Sequence, residues 1–152
     1  MARITREEKE RKKQLFDAYI WELFVTEGWQ AISYERIAKQ FDSYKSAIQA
    51  YYPHKSDFAS AIRGRVLPLI VQTLDFKSRE DFIESWKKGH EDFFFHNVVM
   101  MLIENLMSSN TSDLSIKGTE ALAQRLKAQF TDGEEVLYIC LGYSIVNFNY
   151  PR

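Results

Sequence analysis

Tyr44, Lys45, Ser46 and Gln49 are the residues whose types and spacing carry the most chemistry in this 152-residue chain. A lysine ammonium neutralises phosphate, a glutamine carboxamide pairs donor and acceptor with a base edge, and Tyr44 adds a hydroxyl on a flat apolar ring. These groups act together on DNA only if one helix presents them and something rigid holds that helix. The stretch over residues 33–58, SYERIAKQFDSYKSAIQAYYPHKSDF, predicts such a device. A first helix starts at Ser33, whose hydroxyl caps a backbone N–H, and buries Tyr34, Ile37, Ala38 and Phe41 at helical spacing. Asp42 and Ser43 break it, because both compete with helix through side-chain bonds to the backbone. Ser43 is then expected to cap a second helix that buries Ala47, Ile48, Tyr51 and Tyr52. Pro53 closes that helix and suits the entry to another, running through Phe58, Ile62 and Val66. Two short helices joined this way form a helix-turn-helix, whose second helix fits the major groove.

Other chemistries find little support. His54, His90 and His96 are the three histidines. The last two lie six apart, which on a continuous helix puts them on different faces, and no His-x-x-x-His pair occurs. The six glycines are scattered, without a phosphate loop or a nucleophile elbow. Glu134-Glu135 reads as favourable charge at a helix start rather than an acid/base pair. The single Cys140 has apolar neighbours, excludes an internal disulfide and fits a reducing compartment. No enzyme, cofactor or metal site is expected.

The remaining chain must brace the reading unit. Thr5-Arg6-Glu7-Glu8 has the form of a capping box. It predicts a helix whose apolar face is Leu15, Phe16, Tyr19, Ile20, Leu23 and Phe24 and which ends at Gly28, with Trp29 and Ile32 plugging the corner. The linking helix from Lys55 contains Pro68, which should kink or end it. Ser78 caps a helix with Phe82, Ile83, Trp86, His90, Phe93 and Phe94 on its apolar face, either unbroken to Ser108 or divided near Asn97. A polar loop over 108–112 precedes a helix that reaches Phe130, and Asp132-Gly133-Glu134-Glu135 starts the last one. The run from Phe93 to Ile103 is interrupted by His96 and Asn97, so it reads as a buried helix and not as a membrane span.

The motif spacing resembles the TetR family of bacterial transcriptional regulators. Ile37-Ala38, Phe41-Asp42-Ser43-Tyr44, Ile48-Gln49, Tyr51-Tyr52, Lys55 and Phe58 follow its helix-turn-helix pattern without a gap. Upstream, Leu15, Phe16, Ala18, Phe24, Glu27, Gly28 and Trp29 resemble the family's first helix and the corner that ends it. The likeness covers roughly the first sixty residues. Three positions depart: Asp42 stands where the family favours glycine, Tyr44 where it favours serine, and Gln49 where a phosphate-touching tyrosine is usual. The resemblance implies an all-α fold, with a three-helix DNA-binding head over 1–54 and a helical ligand-binding and dimerisation body over 55–152. It implies DNA contacts at Ser33, Tyr44, Lys45, Ser46, Gln49, Tyr51 and Lys55.

Charge supports that division. Residues 1–65 carry 12 Lys and Arg against 9 Asp and Glu, while residues 66–152 carry 8 against 12, within a net charge of −1. A helix over 136–148 that is apolar on nearly every side must be covered, and a chain this small has little to cover it with. In the resembling family the last two helices pair with those of a second subunit. The segments 114–130 and 135–149 are the candidates, with Leu122, Leu126, Leu137, Leu141, Ile145 and Phe148 at a homodimer interface. The family's effector pocket maps to Trp86, His90, Phe93, Phe94, Met100 and Met101, a lining suited to an apolar small molecule, although such a stripe is also plain core. The body is shorter than is usual in the family. The expectation is a cytoplasmic homodimeric regulator, a repressor of a palindromic operator released by a ligand. The alternative is a helical dimerisation or protein-interaction module that has lost sequence-specific DNA binding through Asp42 and Gln49.

Overall fold

The computed structural model describes residues 4–108 and 113–148, and among these all regular structure is helical. Thr5 starts α1 (Arg6–Glu27) by accepting the Glu8 N–H at 3.1 Å. Gly28 ends it at φ 96°, a left-handed conformation that glycine adopts without a Cβ penalty. The buried face is Phe16, Ile20, Leu23 and Phe24. Leu15, expected on that face, is 52% exposed, because one residue turns a side chain about 100° around the axis. A short 3-10 turn, Trp29–Ala31, follows, and Trp29 and Ile32 are buried in the corner as expected.

Next come α2 (Tyr34–Gln40) and α3 (Lys45–Tyr51). The segment after Pro53 is not the single helix that the sequence suggests. It forms a 3-10 turn, Lys55–Ala61, held at its start by the His54 N–H bonded to the Asp57 carboxylate at 2.8 Å, and then α4 (Arg63–Thr73). Pro68 lies inside α4 without ending it. The donor it lacks falls opposite the Gly64 carbonyl at the start of the helix, where the chain is exposed and water can substitute.

The chain divides into two compact units, one up to Gly64 and one from Arg65. The division lies beyond residue 54 because Phe58, Ala59 and Ile62 are buried with the first three helices, the Phe58 ring lying 4.9 Å from that of Tyr34.

In the second unit, Ser78 caps α5 (Arg79–Gly89) by accepting the Asp81 N–H at 3.0 Å. The next break comes at His90–Asp92, well before Asn97, and Asp92 caps α6 (Phe93–Met107) through the Phe95 N–H at 2.9 Å. The polar loop expected over 108–112 lies outside the described residues, apart from Ser108 at the end of α6. α7 (Asp113–Gln129) and α8 (Gly133–Asn147) form a helical hairpin, and α8 packs against α5, α6 and α7. Phe82, Trp86, Phe95, Val99, Leu126, Val136, Leu137 and Cys140 fill this core.

Gly133 sets the hairpin. A Cβ there would lie 2.2 Å from the Leu126 carbonyl group and 2.4 Å from the Lys127 nitrogen, which are backbone atoms that cannot swing away. Gly133→Ala should therefore destabilise the protein by about 1–3 kcal/mol or more, read as a lower denaturant midpoint.

Candidate nucleic-acid interface

Side-chain caps and one buried tyrosine position the surface around α3. The Ser33 hydroxyl accepts the Arg36 N–H at 3.1 Å and so opens α2. α2 ends at Phe41, and Asp42 takes φ 50°, the left-handed turn geometry that aspartate adopts at a cost of about 1–2 kcal/mol. Ser43 does not cap α3. Its N–H returns to the Ala38 carbonyl at 2.8 Å, and the N-cap is Tyr44, with no side-chain bond. The turn is thus one residue longer than the sequence suggests.

Tyr44 is 81% exposed, and Lys45, Ser46, Ala47, Gln49 and Ala50 are exposed with it, while Ile48 is buried. Ala47, expected in the core, belongs to the outer side. The structure therefore brings Tyr44, Lys45, Ser46 and Gln49 together on one accessible side of a single helix. The other three expected contacts stand elsewhere. Ser33 is the half-buried cap of α2, and Lys55 sits at the start of the 3-10 turn with its ammonium 5.5 Å above the Trp29 ring. Tyr51 is half-buried and packs edge-on against Phe16 at 5.1 Å.

Tyr52 fixes the helix from below. It is fully buried, its hydroxyl donates to the Asp17 carboxylate of α1, and its carbonyl accepts the Tyr34 hydroxyl of α2 at 2.7 Å. Burial, reinforced by the bond to Asp17, holds its hydroxyl well above the ordinary phenol range. Asp17 also pairs with Lys13 at 3.2 Å.

Two acids of the head are held in ion pairs, one of them with a residue of the reading side. Glu35 of α2 pairs with Lys45 at 3.0 Å, and the Lys45 bond, followed by its own backbone N–H, holds its carboxyl below the usual range. Glu27 takes both Arg36 nitrogens, at 3.0 and 2.6 Å, and its carboxyl is lowered by that bond in the same way. Sequence reasoning missed the Lys45–Glu35 pair. Opposite charges ten positions apart across a turn leave no periodic signal.

The second unit places its expected ligand residues in a hydrogen-bonded core. Trp86 Nε1 donates to Ser144 Oγ at 2.8 Å, and His90 Nε2 lies 2.6 Å from the same oxygen. Ser144 bonds onward to the Cys140 carbonyl at 3.1 Å, which engages its one hydrogen, so it accepts from both Trp86 and His90. That assigns the Nε2 proton to His90 and leaves Nδ1 to face His96 Nδ1 at 3.1 Å. The two histidines meet because the break at His90–Asp92 folds α6 back, which corrects the expectation of separate faces. Phe95, rather than Phe93 or Phe94, fills the space, with its ring 5.4 Å from both Trp86 and His90. Phe93 is 49% exposed, Phe94 and Met100 are half-buried, and Met101 is buried. Burial pushes the Cys140 thiol up to about 12, which keeps it protonated and inert near neutral pH.

Of the expected interface residues, Leu126 and Leu137 are buried inside the chain and so have no surface to offer a partner. Leu122, Leu141 and Phe148 are half-buried, and Ile145 is 52% exposed. The exposed apolar side chains of α8 are Tyr138, Ile139, Ile145 and Val146.

This second unit is the part that known proteins identify. A family model described as the tetracycline repressor LuxT C-terminal domain matches residues 63–148, more than half of the chain. The chain belongs to the TetR family. A search of curated proteins finds no match. The matched region of this TetR-family regulator begins at the start of α4 and ends one residue after α8. It therefore takes in the whole Ser144 network and leaves the α1–α3 head outside. Among the described residues no helix is long and apolar enough to cross a membrane.

Ser144→Ala should leave the Trp86 and His90 donors buried without their acceptor, at a cost of about 1–3 kcal/mol. Denaturant unfolding followed by tryptophan fluorescence measures it, and the same experiment should show no loss for an exposed control such as Lys88→Ala.

Proposed function

We propose that the protein is a DNA-binding transcriptional regulator that reads a palindromic operator as a homodimer, with α3 as the reading helix. The observation that carries this reading is the accessible side of α3. Tyr44, Lys45, Ser46 and Gln49 lie together on it, while Ile48 and Tyr52 anchor the opposite side. Lys45 supplies charge to phosphate and Gln49 a carboxamide to a base edge. Lys45 exchanges its Glu35 partner for phosphate on binding.

Selection from random DNA should enrich a palindrome whose half-sites lie about one helical turn apart or a multiple of it. Lys45→Ala should weaken binding to every sequence and reduce the salt slope by about one contact, whereas Gln49→Ala should also relax preference at one base pair. Glu35→Gln should strengthen binding, because the lysine no longer leaves a carboxylate. Recovery of no enriched sequence would favour the alternative, an interaction module that keeps the fold without reading DNA.

Pairing of two subunits is supported by α8, which turns Tyr138, Ile139, Ile145 and Val146 outward within one sector of the helix. Ile145→Glu or Val146→Glu should convert the protein to a folded monomer in light scattering, since both side chains are exposed within the chain. A wild-type protein that is monomeric at micromolar concentration removes the dimer.

Repression relieved by an apolar effector is the finest part of the reading. Such a ligand has to displace Phe95 or part the Trp86–Ser144 bond, so its binding should change Trp86 fluorescence in step with DNA release.

A further inference from the structure

A groove that shares only Tyr51 with the expected contacts opens between α1 and the end of α3. Its volume is about 380 Å³, and its lining is Arg6, Lys9, Glu10, Lys13, Ala50 and Tyr51. Arg6, Lys9 and Lys13 are spaced three and four apart, so α1 presents all three cations along one side. Lys9 Nζ stands 5.8 Å from the Tyr51 ring centre, and Lys13 stands 4.9 Å from that of Tyr52 while pairing with Asp17. Glu10 is the one acid in the lining.

The groove is continuous with the reading side. Ala50 lies one helical turn beyond Ser46 and next to Gln49, and Ser46, Ala47, Gln49 and Ala50 are all exposed. Ala50 of α3 lines the groove together with the α1 cations. A duplex whose major groove takes α3 presents a wall of sugar and phosphate beside it, and the cations stand at that border.

We propose that this groove is a second phosphate-binding site, in which Arg6 and Lys9 hold the DNA backbone flanking the bases that α3 reads. The proposal rests on the reading of α3 given above. The chemistry points to backbone rather than to bases. The lining holds flexible cations and no carboxamide, and such cations neutralise charge without carrying sequence information. Lys13, already tied to Asp17, orients the wall of the groove more than it adds free charge. Glu10 opposes the phosphate and limits the affinity of the site.

The test uses the full chain and the duplex enriched by selection, with an unrelated duplex beside it. Arg6→Gln with Lys9→Gln removes two phosphate contacts. The plot of log affinity against log salt should flatten by about 2, since each contact contributes about 0.9. Affinity should fall by roughly tenfold or more on both duplexes, and the enriched sequence should stay the same. Glu10→Gln should move affinity the other way by a few-fold. An unchanged salt slope in the double variant, with Lys45→Ala flattening it, overturns the groove and leaves the α3 reading standing. A loss of affinity in Glu10→Gln as well as in the double variant also overturns it, because the common cause is then the fold of α1. Wild-type protein that binds neither duplex overturns both.

Discussion

Tyr52 carries a hydroxyl into an interior from which water is excluded, and that group must find an acceptor there. Asp17 provides it. The bond joins the end of α3 to the middle of α1, and the Tyr52 carbonyl joins the same point to α2 through Tyr34. Three helices are thereby fixed at one residue. The Phe58 ring at 5.1 Å and the Lys13 ammonium at 4.9 Å pack against its own ring. Since α3 is only two turns long and has no side-chain cap, its stability comes from these tertiary contacts rather than from its own helix propensity.

Ser144 plays the corresponding part in the second unit. One hydroxyl on α8 collects Trp86 of α5 and His90 just beyond its end, and His90 reaches on to His96 of α6. Polar side chains thus tie α5, α6 and α8 together inside an otherwise apolar core. The TetR-family match spans this whole arrangement, while the motifs legible by eye lie in the head, so the two lines of argument concern different parts of the chain.

Much of the head was legible because its signals are local. Thr5, Ser33 and Gly28 sit at helix ends for reasons of hydrogen bonding and backbone geometry that need no knowledge of tertiary structure. The misreadings have physical causes. Ser43 looked like a cap, but its N–H is drawn back to Ala38, and Ala47 is small enough to suit either side of a helix. In the body, a run of Phe93, Phe94 and Phe95 gives no indication which ring faces inward until the cap at Asp92 sets the phase of α6. The meeting of His90 with His96 and the Lys45–Glu35 pair both arise across breaks in the chain, where helical periodicity has no meaning.

That pair bears on how the protein behaves in a cell full of competing DNA. A reading-side lysine already matched with a carboxylate gains less from an arbitrary stretch of duplex than an unmatched one, because each encounter first has to separate the pair. On the proposed function, Glu35 therefore weakens attachment to the many unrelated sites of a genome more than to an operator, where the Gln49 contact adds to the gain. The head gives up some total affinity and in return spends less time held at the wrong addresses.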